Sequence, residues 1–317
     1  INLLFMHAAA FSIIKELDDV DADADGADSF VGLTMTANDM YPEDPTNEQQ
    51  QKSAQSMNYV FNDWAMRALI DGDLDVNLDQ DSTDTDTIPV EGNYPELAGT
   101  LEFIGVQYYG PGKVTDQGFI GELLRDTAPL FGAPLVDVAS YLLPDDKLLP
   151  FNGMGREINA AAFRDTLDRY GQWGVPLIIT ENGTTTNGRV DVESLEPGDE
   201  LPALTDQSAQ AAMYVLEHLW EVGRAIDDGV DIRGYYHWTL ADNYEWVEGR
   251  LQRFGAYSVD FDDPTYPRTL NKQGEALRDV VTSRGIDEAL WQKWVLSRYP
   301  TDNRDKDALT TSEPVVQ

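Results

Sequence analysis

The sequence lacks cysteine entirely and holds only three histidines among its 317 residues. The absence of cysteine excludes disulfides, iron–sulfur clusters, zinc ribbons and thiol nucleophiles. Three histidines argue against a multi-histidine metal centre, so we expect neither a metal nor a cofactor. Basic residues are also scarce, because 22 Lys and Arg stand against 57 Asp and Glu, for a net charge of −35. Phosphate contacts need Lys and Arg, so this charge argues against a nucleic-acid partner and against an anionic membrane surface.

Long apolar runs are missing too, and no stretch approaches the roughly 18 residues of a transmembrane helix. The opening residues 1–6 have no basic region and no cleavage site, so they do not resemble a signal peptide. Hydrophobic residues make up 42% of the chain, which is enough for a substantial core. The acidic composition predicts a salt-adapted cytoplasmic protein, because the Debye length falls to about 3 Å at 1 M salt and screens the self-repulsion.

Two Asp-rich runs test the alternative that the acidic residues bind cations. Asp21–Gly26 copies the start of an EF-hand loop, but Gly32 stands where the loop needs a bidentate Glu. Asp71–Val76 also lacks the bidentate Glu of an EF-hand loop, because Ser82 stands at the twelfth position. We therefore predict no dedicated calcium site, and we interpret residues 71–87 as a mobile acidic loop.

Apolar periodicity predicts strands that alternate with helices. The predicted strands are residues 30–36, 101–108, 175–180 and 232–238, and the predicted helices are 2–17, 47–70, 160–170, 206–227, 271–283 and 286–297. This alternation indicates an α/β fold with a parallel sheet, either open and doubly wound or part of a (β/α)8 barrel. No Gly-rich phosphate fingerprint follows a strand, which weakens the dinucleotide-binding version. We see no internal repeat and no linker, so residues 1–317 are predicted to form one domain.

Polar residues stand at the ends of the predicted strands, where α/β folds place their chemistry. Glu181 follows an apolar strand and is costly there if it is buried without a partner. Either it caps the next loop or pairs with an Arg, or it is held rigidly as a reactive carboxylate. Tyr109, which ends the neighbouring strand, could donate a hydrogen bond that keeps Glu181 ionised and aimed.

Aromatic residues surround a second carboxylate near the end of the last strand. Trp238, Trp246 and Phe254 offer flat apolar faces, which ordinary core packing would also explain. Glu245 among them favours a sugar site, because sugars present C–H faces for stacking and hydroxyl groups that donate to carboxylates.

These segments resemble a known family. Ile179–Gly183 is similar to the nucleophile motif of family 1 glycoside hydrolases, the retaining β-glucosidases and β-galactosidases. Gly234–Gly249 resembles that family's last-strand signature, Arg253–Asp260 resembles the segment that follows it, and Phe103–Tyr109 resembles the sixth-strand motif. The spacings look most like those of the archaeal-type β-glycosidases.

The resemblance implies a (β/α)8 TIM barrel in which Glu181 is the nucleophile at the end of strand seven and Tyr109 hydrogen-bonds it. The other matching positions would bind the sugar: Gln107, Trp238, Glu245, Trp246 and Phe254. Gln107 departs from the family's usual Asn, so its amide reaches one carbon further. Family members that act on 6-phosphorylated sugars lack a carboxylate at the position of Glu245, which argues here for unphosphorylated sugars.

A second departure concerns the acid/base carboxylate, which the family carries in a Thr-x-Asn-Glu-Pro motif ending strand four. The sequence has no such motif, and Asn2–Ala9 resembles the helix that follows it. We therefore expect only strands five to eight of the barrel, with a truncated N-terminus and two open sheet edges. Thr46-Asn47-Glu48 is a decoy, better explained as an N-cap followed by a first-turn Glu. His7 is interpreted as a satisfied histidine in a packing surface.

Three hypotheses for function follow. The first is a retaining exo-β-glycosidase that hydrolyses terminal unphosphorylated β-D-glucosides or galactosides through a covalent intermediate on Glu181. The second is an inactive or split half-barrel that binds carbohydrate, and the third is an acidic cation buffer. The predicted partner is a small β-glycoside or oligosaccharide, with a homo-oligomer as an open possibility. The sequence does not distinguish a glucose from a galactose preference.

Overall fold

The computed structural model describes residues 1–21, 28–83, 90–114, 152–188 and 206–298. None of the helices within these ranges has the length and apolar character needed to cross a bilayer. The predicted calcium-like run at 21–26 lies almost wholly outside the described residues.

The four longest strands alternate with helices along the described chain, as the sequence predicts, and six short strands accompany them. The strands are β1 (Gly32–Thr36), β2 (Met40–Pro42), β3 (Asp73–Leu74), β4 (Gly92–Asn93), β5 (Phe103–Tyr108), β6 (Gly112–Val114), β7 (Leu177–Asn182), β8 (Ile232–His237), β9 (Tyr257–Val259) and β10 (Arg268–Leu270). The longer helices are α1 (Asn2–Leu17), α2 (Glu48–Asn58), α3 (Ala160–Gly171), α4 (Ser208–Asp227), α5 (Lys272–Ser283) and α6 (Glu288–Trp294). After α2 the chain continues through two π-helical turns, Tyr59–Asp63 and Arg67–Asp71, with Trp64–Met66 between them. The sequence did not predict these turns.

The four predicted strands form one sheet in the order β1-β5-β7-β8. β1 and β5 are parallel, with Thr36 opposite Gln107 at their carboxyl ends. N–H groups at the starts of β5 and β7 donate to the carbonyls of Pro176 and Asp231, at 2.9 and 2.7 Å, just before the next strand begins. The starts of neighbouring strands therefore lie side by side, as in a parallel sheet. β7 extends to Asn182, so Glu181 belongs to the strand instead of following it.

Polar caps fix where the helices begin. Asn47 Oδ1 accepts hydrogen bonds from the N–H groups of Gln49 and Gln50, at 3.0 and 3.3 Å, so α2 starts at Glu48. This confirms the interpretation of Glu48 as a first-turn residue after an Asn cap. His7, on α1, is satisfied as predicted, because its Nε2 lies 2.7 Å from the carbonyl oxygen of Thr100.

The acidic segment after α2 is more ordered than the sequence predicts. Asp75 is fully buried and accepts hydrogen bonds from the Tyr59 hydroxyl at 2.5 Å and from the N–H groups of Leu78 and Gln80 at 2.6 and 2.7 Å. The prediction of a mobile acidic loop is wrong at Asp75, whose buried carboxylate organises the turn around itself. Residues 84–87 of the predicted loop lie outside the described residues. Among the residues that the structure describes, no three His, Asp or Glu side chains group to hold a metal ion.

The described residues fall into two compact units. The first comprises 1–21, 28–83, 90–114, 162–181 and 225–236, and the second comprises 152–161, 182–188, 206–224 and 237–298. In the first, the core includes fully buried side chains on β5 and β7: Ile104, Val106, Tyr108, Leu177 and Ile179. In the second, α4, α5 and α6 pack together through a buried cluster: Ala212, Met213, Val215, Leu216, Ala276, Trp294 and Val295. The prediction of one domain stays a prediction.

Candidate active site

Glu181 accepts a hydrogen bond on each of its carboxylate oxygens. Gln107 Nε2 donates to Oε1 at 2.6 Å, and the hydroxyl of Tyr109 donates to Oε2. Thr36 Oγ1 donates to Gln107 Oε1 at 3.4 Å, which orients the Gln107 amide with its nitrogen toward Glu181. Hydrogen bonds to an ionised acceptor are shorter and stronger than neutral ones, so the two donors fix the direction of the carboxylate. The predicted contact of Tyr109 is present, and Gln107 contacts Glu181 directly.

Strand β7 runs on into the second unit through Asn182 and Gly183. The N–H of Trp238 donates to the carbonyl of Asn182 at 3.0 Å, and a Cβ on Gly183 would lie only 1.9 Å from the Trp238 carbonyl oxygen. No side chain fits at position 183 while the backbone of Trp238 stays there. Trp238, the predicted stacking residue, is therefore anchored by its backbone to the residues that follow Glu181 in the chain.

The side chain of Asn182 is held by α4. Its Nδ2 donates to the hydroxyl of Tyr214 at 2.8 Å, and the Tyr214 ring stacks on His218 with 3.6 Å between ring centroids. His218 Nδ1 lies 2.8 Å from the carbonyl oxygen of Tyr214, so Nδ1 carries the proton. Burial lowers the pKa of His218 to about 3, which keeps the imidazole neutral near pH 7. His218 therefore supports the packing and is not an acid/base group.

Asp242 orders the loop that carries the predicted sugar-binding residues. Its two carboxylate oxygens accept from the N–H groups of Gly255 and Val259, at 2.8 and 3.1 Å, and Arg253 Nη1 lies 3.6 Å away. Burial raises the pKa of Asp242, and these donors oppose the rise. A buried carboxylate with donors on both oxygens fastens the loop to the segment around β9.

The predicted sugar-binding residues of this loop differ in exposure. Trp246 exposes 80% of its surface and Phe254 only 5%, while Glu245 is half-buried and its N–H donates to the carbonyl of Gly249 at 2.7 Å. Trp246 offers an open aromatic face, whereas Phe254 is buried. The structure thus brings Glu181 together with Gln107 and Tyr109, and it places the predicted sugar-binding aromatics and Glu245 in the second unit.

Sequence reasoning assigned no role to Asp242 or Tyr214. Asp242 stands within the last-strand motif, and that position was the signal available. No sequence signal pointed to Tyr214, because an aromatic residue on an amphipathic helix is normally interpreted as part of the hydrophobic core.

The sequence model described as Glycosyl hydrolase family 1 matches residues 2–286. A β-galactosidase of Pyrococcus woesei is 27% identical over 299 residues, which are 92% of this chain and 52% of that protein. A β-galactosidase of Sulfolobus acidocaldarius is 28% identical over 295 residues, 91% of this chain and 48% of that protein. A solved β-glycosidase of Pyrococcus horikoshii superposes with a TM-score of 0.66 at 24% identity, covering 95% of this chain and 56% of that one. The chain spans about half the length of the curated relatives it matches, and the solved neighbours agree with the predicted TIM-barrel fold at that level.

Proposed function

Because the chain belongs to glycosyl hydrolase family 1, we propose that Glu181 is the nucleophile of a retaining β-glycosidase. One observation carries the proposal: each oxygen of this strand-end carboxylate accepts its own hydrogen bond, from Gln107 and from Tyr109. A nucleophile must meet the anomeric carbon from a defined direction, and a carboxylate gripped at both oxygens cannot rotate away. The prediction that Glu181 merely caps a loop or pairs with an Arg accounts for neither donor.

The reaction proceeds in two displacements. Glu181 attacks the anomeric carbon, the bond from that carbon to the aglycone oxygen breaks, and a second carboxylic acid protonates the departing oxygen. The second group then removes a proton from water, the water oxygen attacks the anomeric carbon, and the ester bond to Glu181 breaks. Retaining enzymes hold the two carboxyl groups about 5–5.5 Å apart. We assign no residue of this chain to the second role, because Glu48 belongs to a capped helix start.

Trp238, Trp246 and Glu245 have the chemistry suited to a bound glycone. Trp238 and Trp246 offer aromatic faces to sugar C–H groups, and the buried Phe254 is proposed to line the same pocket. Glu245 accepts hydrogen bonds from sugar hydroxyls and repels a phosphate, so the substrate class is an unphosphorylated β-glycoside. Two relatives are named β-galactosidases and one solved neighbour a β-glycosidase, which supports small β-galactosides or β-glucosides as substrates.

The four-stranded sheet corresponds to the second half of a (β/α)8 barrel, and a complementary half with similar βα units completes it and supplies the acid/base. Support comes from α1, whose residues at successive spacings of three and four share one face and are exposed: Leu3, Met6, Ala10, Ile13 and Leu17. An apolar helix face of this regularity normally packs against a neighbour. Salt adaptation and a cytoplasmic location remain proposals drawn from the composition.

The test is Glu181→Gly in the protein that contains this chain, with a dinitrophenyl β-glycoside as substrate. Dinitrophenolate leaves without protonation, so the assay reports the nucleophile and does not require the acid. We expect turnover to fall at least about 1,000-fold and azide to restore part of it as a glycosyl azide of inverted configuration. Glu96→Gly, which removes an exposed Glu of the same unit, is the matched control and should keep full turnover.

Mass spectrometry gives an independent readout. A 2-deoxy-2-fluoro glycoside with the same leaving group should leave its sugar on the peptide that contains Glu181. A sugar attached elsewhere, or normal turnover by Glu181→Gly, would refute the assignment. Binding of sugar without any turnover or labelling would favour the carbohydrate-binding alternative.

A further inference from the structure

Backbone hydrogen bonds join the loop that follows β1 to the loop that follows β5. This junction lies directly beyond Gln107 and Tyr109, two residues that contact Glu181. The N–H of Ala37 donates to the carbonyl of Gln107 at 2.8 Å, and the N–H of Gly112 donates to the carbonyl of Asp39 at 2.9 Å. The short strands β2 and β6 then pair in parallel, with Met40 opposite Gly112. Tyr109 and the two residues after it therefore run alongside the segment that follows β1.

Asn38 lies at the centre of this junction. In the orientation that satisfies its neighbours, its side-chain nitrogen donates to the carbonyl of Gly110 at 3.1 Å and to that of Ala37 at 3.0 Å. Its own backbone is gripped by Asn62, whose Oδ1 accepts from the Asn38 N–H at 3.4 Å and whose Nδ2 donates to the Asn38 carbonyl at 3.0 Å. Asn62 is 1% exposed and also accepts from the hydroxyl of Tyr170 at 3.1 Å. Asn62 therefore holds the backbone of Asn38 in place, and the Asn38 side chain contacts Gly110 from this fixed position.

Gly110, directly after Tyr109, has a positive φ angle. Its φ angle is 146°, in the positive region that glycine enters readily and other residues rarely do. Because glycine permits many backbone conformations, a hydrogen bond to the Gly110 peptide helps to define where the preceding Tyr109 lies. The Asn38 amide holds the Gly110 carbonyl, one residue from Tyr109, whose hydroxyl donates to Glu181.

We infer that Asn38 is a positioning residue for Tyr109 and, through it, for Glu181. The catalytic part of this inference rests on the proposed function, whereas the restraint on Tyr109 does not. Asn38 touches no reacting atom in the proposed reaction. Its contribution is to keep the Tyr109 hydroxyl within hydrogen-bonding distance of the carboxylate.

The test is a double-mutant cycle of Asn38→Asp with Tyr109→Phe in the protein that contains this chain. Asn38→Asp keeps the size of the side chain and replaces the donor with an oxygen facing two carbonyls. We expect kcat on the dinitrophenyl glycoside to fall about tenfold with KM changed less than about twofold, because a misplaced reacting group slows chemistry more than binding. In the Tyr109→Phe background the same change should alter kcat less than about twofold. Equal losses in both backgrounds would overturn the inference.

A second readout needs no turnover. With 3-fluorotyrosine incorporated, the fluorine resonance of Tyr109 is the one lost in Tyr109→Phe, and Asn38→Asp and Asn38→Ala should both shift or broaden it. Asn93→Asp is the matched control, since Asn93 is exposed and also donates to a backbone carbonyl, that of Asp71 at 3.0 Å. An unmoved Tyr109 resonance in folded Asn38 variants would contradict the inference. If the Asn38 variants shift the Tyr109 resonance while Glu181→Gly keeps normal turnover, the restraint on Tyr109 is retained and the proposed nucleophile is rejected.

Discussion

The inner and outer strands of the four-stranded sheet have very different surroundings. β5 and β7 bury side chains completely, among them Ile104 and Ile179. On β1 and β8 every residue is half-buried or exposed, and Tyr236 on β8 exposes 64% of its surface. Parallel strands are normally covered on both faces, and a barrel leaves no edge. The difference shows which strands of the sheet are open, and the half-barrel proposal predicts that a complementary half covers them.

The largest effect is expected where the outer strand β1 leads into a buried ion cluster. Asp39, three residues beyond β1, is 3% exposed, and Arg169 reaches it at 2.5 Å and Asp63 at 3.1 Å. Arg169→Met would leave the buried Asp39 and the half-buried Asp63 without the cation that contacts both, which costs about 3–5 kcal/mol of unfolding free energy at pH 7. Urea unfolding of the variant and the wild type measures the difference.

The same variant should respond to pH in a defined direction. Burial already raises the pKa of Asp39 and of Asp63, and Arg169 opposes the rise, so its removal raises both further. A raised folded-state pKa means that the folded protein binds protons first as the pH falls, so the variant should recover stability between pH 7 and pH 4.5. An equal loss at both pH values would show that packing, and not charge, explains the effect.

The second prediction compares one residue type on an inner and an outer strand. Ile179→Ala on β7 removes a fully buried side chain and should cost about 3 kcal/mol, from the lost transfer energy and the cavity left behind. Ile232→Ala on β8 removes a half-buried side chain and should cost about 1 kcal/mol. Paired urea unfolding curves check both values. Equal losses would mean that β8 is as well covered as β7 in solution.

The third prediction extends the contrast between buried and open elements to α4 of the second unit. His218 is fully buried and its folded-state pKa is about 3, below the unfolded value of about 6.5. The unfolded chain therefore binds a proton first as the pH falls, so stability is complete above about pH 6.5 and decreases below it. Between pH 7 and pH 5 this histidine should account for about 2 kcal/mol of lost stability. His218→Phe, which keeps a ring against Tyr214, should remove that part of the pH dependence, and an unchanged slope would assign it to other groups.

Sequence patterns located the main elements, because β-branched and apolar runs such as 101–108 are compatible with few structures other than a buried strand. The motif at 179–183 predicted the contact of Tyr109 with Glu181. Three features were out of reach for physical reasons. Asn38 and Asp75 read as turn or surface residues, since their burial depends on chain segments far away in sequence. The Gln107 contact depends on how far one extra methylene moves an amide, which spacing does not reveal. The exposure of β1 and β8 accompanies their place at the two edges of the sheet, which the sequence does not reveal.

The smallest effect on the isolated chain is expected on α1, where adjacent side chains differ strongly in their exposure to solvent. Leu3 exposes 77% of its surface and Leu4 only 4%. Leu3→Lys should change the unfolding free energy by less than about 0.5 kcal/mol, as surface substitutions do, and should reduce binding of an apolar dye such as ANS. Leu4→Lys, the matched control, should destabilise the chain by several times as much because it buries a charge. If a complementary half-barrel covers the exposed face of α1, Leu3→Lys should cost about 2 kcal/mol once that half is present, whether attached or added. A cost below about 0.5 kcal/mol in the completed protein would show that this face stays open and that the half-barrel proposal has the wrong boundary.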